Sequence, residues 1–337
     1  MKVHLQVEGS PLRARESARA IAALGADGIF SFEGPHDVFV PLVLAATETD
    51  LRLMTNVAIA GPRSPLHLAH TAYDLQALSG GRFRLGLGSQ IRVHIEKRYG
   101  SRWERPARRT GESVAAVKAI LAAWEGHAPL DFRGEFFTHT LMPPTFDPGP
   151  NPFGPPPVLM GALGPVMTRT AAEVADGLLV MPFNSATHFT RRTVPALRRG
   201  LAESGRTLDD FEVVAQAMVA LGRTAPELAA AVDAVARLIA FYASTPAYRP
   251  VLDAEGWGEL QPELNALSKQ GRYAEMRALI TEPMVRTLAL VGSPADCAAQ
   301  AHARFGEYAR DICCYFPGYD PATDDVAEFV GRLQSAR

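Results

Sequence analysis

Glu33-Gly-Pro-His-Asp37 brings two carboxylates and an imidazole into one short stretch. A histidine can give or take a proton near neutral pH, so His36 is a candidate acid–base group, with Glu33 beside it. The same stretch also reads as a plain loop whose histidine caps a helix beginning near Pro41. Gly161-Ala-Leu-Gly-Pro165 offers a different chemistry. A glycine loop opening a helix exposes backbone N–H groups to an anion, and the helix dipole adds to the attraction. Glycine before proline is equally common as turn punctuation. His67 and His70 lie one helical turn apart, with Asp74 one turn further on. A metal site needs three or four converging ligands, and no cysteine or further histidine joins them nearby, so no metal is expected. No Gly-x-Ser-x-Gly elbow and no Gly-x-x-x-x-Gly-Lys loop occur, which removes support for a serine hydrolase or a nucleotide hydrolase.

The elements that would carry these groups alternate regularly. Strands are expected at Val3–Val7, Asp27–Phe32, Arg52–Ile59, Arg82–Gly88, Pro157–Gly161, Gly177–Met181, Phe211–Met218 and Asp311–Phe316. Helical patterns separate them, at about Arg13–Leu24, Pro41–Thr49, Pro65–Leu78, Pro106–Trp124 and Pro294–Phe305. This rhythm predicts one α/β domain, a (β/α)8 TIM barrel, with chemistry at the C-terminal strand ends. Two stretches break it. Residues 126–157, after the fourth strand, crowd Pro and Gly around a small hairpin at Arg133-Gly134. Residues 225–287, after the seventh, hold an Ala-rich helix, Glu227–Tyr242, followed by segments bearing Tyr248, Trp257 and Tyr273. Long insertions serve as lids or as subunit contacts, so the second is expected to cover the substrate pocket or to join a homo-oligomer, a dimer in the first instance.

The chain of 337 residues is 47% apolar, ample for one large core, and its net charge of −2 argues against nucleic acid or an anionic membrane as partner. Neither a cationic leader nor an apolar run of spanning length is visible, so a cytoplasmic protein is expected. Cys297, Cys313 and Cys314 form no disulfide framework and read as buried thiols.

One family shares much of this wording. Asp74-Leu-Gln-Ala-Leu-Ser-Gly-Gly-Arg-Phe83 and then Gly86-Leu-Gly-Ser-Gln-Ile-Arg-Val-His-Ile-Glu96 resemble the luciferase-like flavin and deazaflavin oxidoreductases, in their coenzyme F420-dependent branch. Trp124, Phe132–Phe137 and Pro143–Pro157 leading into Val158–Gly161 extend the resemblance, which spans about Gly25 to Phe183. It implies hydride transfer between F420, or alternatively FMN, and a small organic substrate. It implies that Asn56, Val57, Gly88 and Ser89 line the ring, with a cis peptide at Asn56–Val57, and that Gly161, Gly164 and Arg169 receive the phosphate-bearing tail. His36 or Glu33 would handle the substrate proton. A better-known branch holds a histidine directly after the acidic residue, where this chain has Gly34; the wording from His36 to Leu42 resembles a different sub-branch. The alternatives are a reduced-FMN monooxygenase of the same superfamily, a non-catalytic flavin or deazaflavin carrier, and a metal-dependent barrel hydrolase resting on His67, His70 and Asp74.

Overall fold

The structure, a computed structural model, describes residues 1–335. Its strands are β1 (Lys2–Gln6), β2 (Gly28–Ser31), β3 (Arg52–Thr55), β4 (Ala58–Ile59), β5 (Phe83–Gly88), β6 (Phe132–Arg133), β7 (Thr138–His139), β8 (Val158–Ala162), β9 (Gly177–Val180), β10 (Glu212–Leu221), β11 (Leu290–Gly292) and β12 (Asp311–Tyr315). Eight of them, β1-β2-β3-β5-β8-β9-β10-β12, pair in parallel, and β12 closes on β1 through Lys2↔Asp311 to Leu5↔Cys314. This is the α/β TIM barrel expected from the alternation.

Capping sequences set many helix starts. Ser64 accepts a hydrogen bond from the Leu66 N–H ahead of α3 (Pro65–Leu78), and Pro65 fits the first turn, where no N–H is needed. Reciprocal capping boxes open α9 (Ala225–Ala243) at Thr224 and Glu227, and α14 (Pro294–Phe305) at Ser293 and Asp296. Gly80 and Gly81, both at positive φ, turn the chain from α3 into β5. The remaining crossovers include α1 (Ala14–Ala23), α2 (Val40–Ala46), α4 (Arg92–Lys97), α5 (Pro106–Trp124), α6 (Pro165–Val174), α7 (Ala186–His188), α8 (Val194–Glu203) and the closing α15 (Thr323–Ser335). Among the described residues, no single helix is long and apolar enough to cross a membrane.

Two expectations need correction. The third strand is not continuous over Arg52–Ile59: it breaks at Asn56–Val57 into β3 and β4. The segments after α9 that bear Tyr248, Trp257 and Tyr273, for which the pattern names no helix, are also largely helical. They fold into α10 (Arg249–Ala254), α11 (Leu260–Lys269), α12 (Tyr273–Ala278) and α13 (Glu282–Leu288). These helices share a core built from residues such as Val235, Ile239, Leu264 and Val285, to which the barrel contributes Leu163, Phe183 and Met218. A strand that the pattern did not reveal, β11, then pairs with the last turn-ward residues of β10, Val219–Leu221.

Strand alternation divides the barrel interior into layers. The floor is charged: His4 Nε2 lies 2.7 Å from Asp311, and Arg84 bridges Asp311 at 3.1 Å and Glu212 at 2.7 Å. Above it an apolar layer holds Phe30, Met54, Leu159, Leu179, Val214 and Cys313. The functional question concerns the next layer, at the C-terminal ends.

Candidate active site

On β5 the inward positions run Arg84, Gly86, Gly88, and on β8 they run Leu159, Gly161. Two adjacent strands therefore carry no side chain into the upper barrel. Close approach explains the glycines. A Cβ on Gly86 would sit 2.0 Å from the Thr55 carbonyl oxygen, and one on Gly88 would sit 2.4 Å from Val57 Cγ2. A Cβ on Gly161 would meet Val57 Cγ1 at 3.2 Å. The side chain of Val57 thus fills what those two strands leave empty, and Val57, Gly88 and Gly161 form one low, flat floor at the mouth. The peptide bond between Asn56 and Val57 is cis. Asn56 is 7% exposed, and neither Nδ2 nor Oδ1 of its side chain meets a protein partner in hydrogen-bond geometry. Cys313, whose thiol burial pushes well above its ordinary value, lies against it.

At the rim, α6 starts beside this floor. Gly164 is its N-cap residue, has no side-chain cap, and has open space where a Cβ would be. The free N–H groups of the first turn are therefore available to an anion. Arg169 does not join them. It lies a turn further along α6 and faces α8, its Nε 3.6 Å from Glu203 of that helix and 3.9 Å from Glu173 on α6 itself. Ser89 stays at the mouth, its hydroxyl donating to the Gln90 carbonyl, while Gln90 takes a left-handed φ of 59°.

The two acid–base candidates separate. Glu33, its side chain 7% exposed, accepts hydrogen bonds from the Ile59 N–H at 2.8 Å, from Arg63 at 2.6 Å and from the Tyr99 hydroxyl at 3.1 Å. Arg63 in turn reaches the Ile59 carbonyl and lies 3.6 Å from Asp37. A carboxylate with all these partners is a bracket that ties the loops after β2, β4 and β5 together. His36 is exposed and near Gly9, in the loop after β1, so it stands at the rim. Asp37 accepts from the Phe39 and Val40 N–H groups at the start of α2, which assigns the capping role in this loop to Asp37 rather than His36.

The helix-three histidines converge on nothing. His70 stacks on Trp124, ring centroids 4.9 Å apart, and among the described residues no group of three or more His, Cys, Asp or Glu gathers as a metal site.

The sequence reading missed two features. The period-two run of Arg84, Gly86 and Gly88 was available as a signal, since glycine at successive inward positions leaves a strand face bare. The phenols opposite, Tyr315 on β12 with Tyr242 and Tyr248 from the insertion, needed the closed barrel to be seen together.

The model of the luciferase-like monooxygenase family matches residues 2–310. The chain belongs to the luciferase-like monooxygenase family. An uncharacterized family protein of Mycobacterium tuberculosis (strain ATCC 25618 / H37Rv) is 48% identical over 302 residues, 89% of this chain and 88% of its own. The 5,10-methylenetetrahydromethanopterin reductase of Archaeoglobus fulgidus is 29% identical over 261 residues, covering 74% of each chain. Among solved structures, the coenzyme F420-dependent tetrahydromethanopterin reductase from Methanopyrus kandleri superposes with a TM-score of 0.79 at 21% identity, covering 98% of this chain and 96% of that one. This luciferase-like barrel therefore shares its fold with that reductase.

Proposed function

We propose that this luciferase-like protein is an oxidoreductase that passes a hydride between coenzyme F420 and a small organic substrate at the C-terminal mouth of its barrel. The observation that carries the reading is the bare floor of Val57, Gly88 and Gly161 lying next to the uncapped start of α6. A flat ring needs a surface without protruding side chains, and a phosphate attached to it needs nearby N–H donors. Both stand side by side here. The names of the reductases of Archaeoglobus fulgidus and Methanopyrus kandleri support the same reaction class.

F420, when bound, supplies the carbon that carries the hydride. The chain's own residues do the rest. Val57 backs the ring, with the unpaired Asn56 amide available to its polar edge, and Ser89 borders it. Gly161 and Gly164 leave room for the tail. The Glu33 bracket fixes the loop that carries His36, and His36, at the rim, exchanges the substrate proton with solvent. Fixing these groups in place before the reactants meet removes much of the entropic cost of the encounter.

A second reading, a reduced-FMN monooxygenase, follows from the family's own description, because the same floor fits either ring. Fluorescence titration with F420, FMN and reduced FMN, side by side, separates the two. F420 is expected to bind most tightly. Tighter FMN binding, or oxygen-dependent turnover with reduced FMN, would establish the monooxygenase reading instead.

A further inference from the structure

Opposite the bare half of the mouth, the barrel wall is furnished with phenols. Alternation on β12 points Asp311, Cys313 and Tyr315 inward, so Tyr315 is the uppermost inward residue of that strand. It packs against the interior layer that includes Phe30, as Val57 does, its ring centroid 6.4 Å from that of Phe30. It also packs against the core of the insertion. Among the described residues, it is the side chain shared by both clusters. From the insertion, α9 contributes Tyr242, and Tyr248 precedes α10; their rings lie 6.1 Å apart, and each approaches Phe183, at 5.8 and 6.2 Å. Tyr315 is half-buried as a residue, yet its hydroxyl oxygen is closed off from solvent; the Tyr242 phenol lies beside it, but no partner meets it in full hydrogen-bond geometry. A buried hydroxyl without a partner is a cost that a ligand oxygen relieves.

Resting on the cofactor reading above, we infer that Tyr315, Tyr242 and Tyr248, backed by the buried Phe183, form the substrate subsite, and that Tyr315 donates a hydrogen bond to a carbonyl or hydroxyl oxygen of an uncharged, largely apolar substrate. The subsite faces the Val57 floor, so a molecule held there lies against the ring face. Its electrostatics select against ions. Burial raises the Tyr315, Tyr242 and Tyr248 phenols above their ordinary value, and the other influences on Tyr242 and Tyr248 come only from neighbouring phenols, with no formal charge among them. Phenols held in the protonated form are donors, and an aromatic wall without a cation leaves a phosphate or carboxylate unpaired.

The test is calorimetric titration of the full chain, without cofactor, against two neutral ketones, cyclohexanone and acetophenone, and two anions, pyruvate and glucose 6-phosphate. The ketones are expected to bind more tightly than the anions. Tyr315→Phe is expected to weaken ketone binding about tenfold, the effect of one lost hydrogen bond, while F420 affinity and melting temperature stay put. Tighter binding of the anions, no ketone binding at all, or unchanged ketone binding in Tyr315→Phe overturns the inference. Should Tyr315→Phe not fold, the infrared carbonyl stretch of acetophenone bound to the unaltered protein decides. A shift to lower frequency supports a phenol donor, and a stretch like that in an apolar solvent refutes it. Because the ketone titrations and the infrared measurement omit F420, their failure is separate from failure of the cofactor titration.

Discussion

Gly88→Ala tests the bare floor directly. The added Cβ would lie 2.4 Å from Val57 Cγ2 and 3.3 Å from Val57 Cβ. Carbon atoms pack at about 3.5–4.0 Å, so the overlap with Cγ2 is about 1 Å, too large for a small adjustment. The backbone at Gly88 is not in the left-handed region, so the strain lies entirely in that collision. Overpacking of this kind costs about 1–3 kcal/mol. For a chain of this size that is a fall in melting temperature of about 1–4 °C. Val57 must also move, and Val57 is what the ring would rest on, so F420 affinity by fluorescence titration should fall at least tenfold. The double variant isolates the cause. Val57→Ala removes both Cγ atoms and leaves only the 3.3 Å approach to the Cβ at that position. Gly88→Ala should therefore cost about 1 kcal/mol less in the Val57→Ala background than alone, a coupling that contacting residues show and distant ones do not. F420 affinity should stay low in the double variant, because its floor lacks the valine. If Gly88→Ala melts and binds like the unaltered protein, or if the two changes simply add, Val57 and Gly88 do not form the floor described.

The other expectations are these. Gly164→Ala places a methyl group in open space at a φ of −77°, so the fold should be unaffected while F420 affinity drops; an unchanged affinity removes the start of α6 from the phosphate site. Glu33→Ala strands Arg63 and releases the Ile59 N–H and the Tyr99 hydroxyl; breaking such a buried pair costs about 3 kcal/mol, read as a lower denaturant midpoint, and a wild-type midpoint would show that Glu33 is no bracket. His36→Ala should lower turnover with an identified substrate about 10²–10⁴-fold at unchanged F420 affinity, and near-normal turnover would return His36 to a passive loop role. Burial alone would raise the Asp311 carboxyl, but hydrogen bonds and charge from His4 and Arg84 hold it down to about 2 from an ordinary 3.8. Its ionised form thus stabilises the fold by about 2 kcal/mol above pH 4, and that contribution is lost as pH falls from about 4 to about 2; urea midpoints across that range should flatten in Asp311→Asn.

Most of the barrel was legible because its signals are local. α3 and α5 begin at a proline and end beside a glycine, and the structure keeps the bounds Pro65–Leu78 and Pro106–Trp124. The break at Asn56–Val57 carried no such mark; only the family resemblance placed a cis bond there. The helices α10 to α13 are six to ten residues long, too short for helical periodicity to outweigh their flanking Gly and Pro. The site was legible in part. Val57, Gly88 and Gly161 do meet, because β3, β5 and β8 are neighbours in the sheet. Glu33 read as an acid because its partners Ile59, Arg63 and Tyr99 are distant in sequence, and Arg169 read as a phosphate ligand because nothing local says which face of α6 meets α8.

The glycines that open the mouth have a consequence for where the fold keeps its stability. Bare inward positions on β5 and β8 give up contacts that a filled barrel layer would make. The layers beneath make up for this: Met54, Leu159, Leu179 and Val214 are each at most 1% exposed, and the charged floor of His4, Arg84, Glu212 and Asp311 spans four strands from β1 round to β12. The closely packed layers thus lie toward the N-terminal ends of the strands and the bare positions toward the C-terminal ends. The insertion strengthens that separation, since its own core rests on the strand ends through Leu163, Phe183 and Met218 and puts an independent apolar cluster above the open layer. Substitutions in the charged layer of His4, Arg84, Glu212 and Asp311 should therefore change stability with little effect on ligand affinity. Substitutions at the bare positions should do the reverse, except where, as at Gly88, the new atom collides with a neighbour.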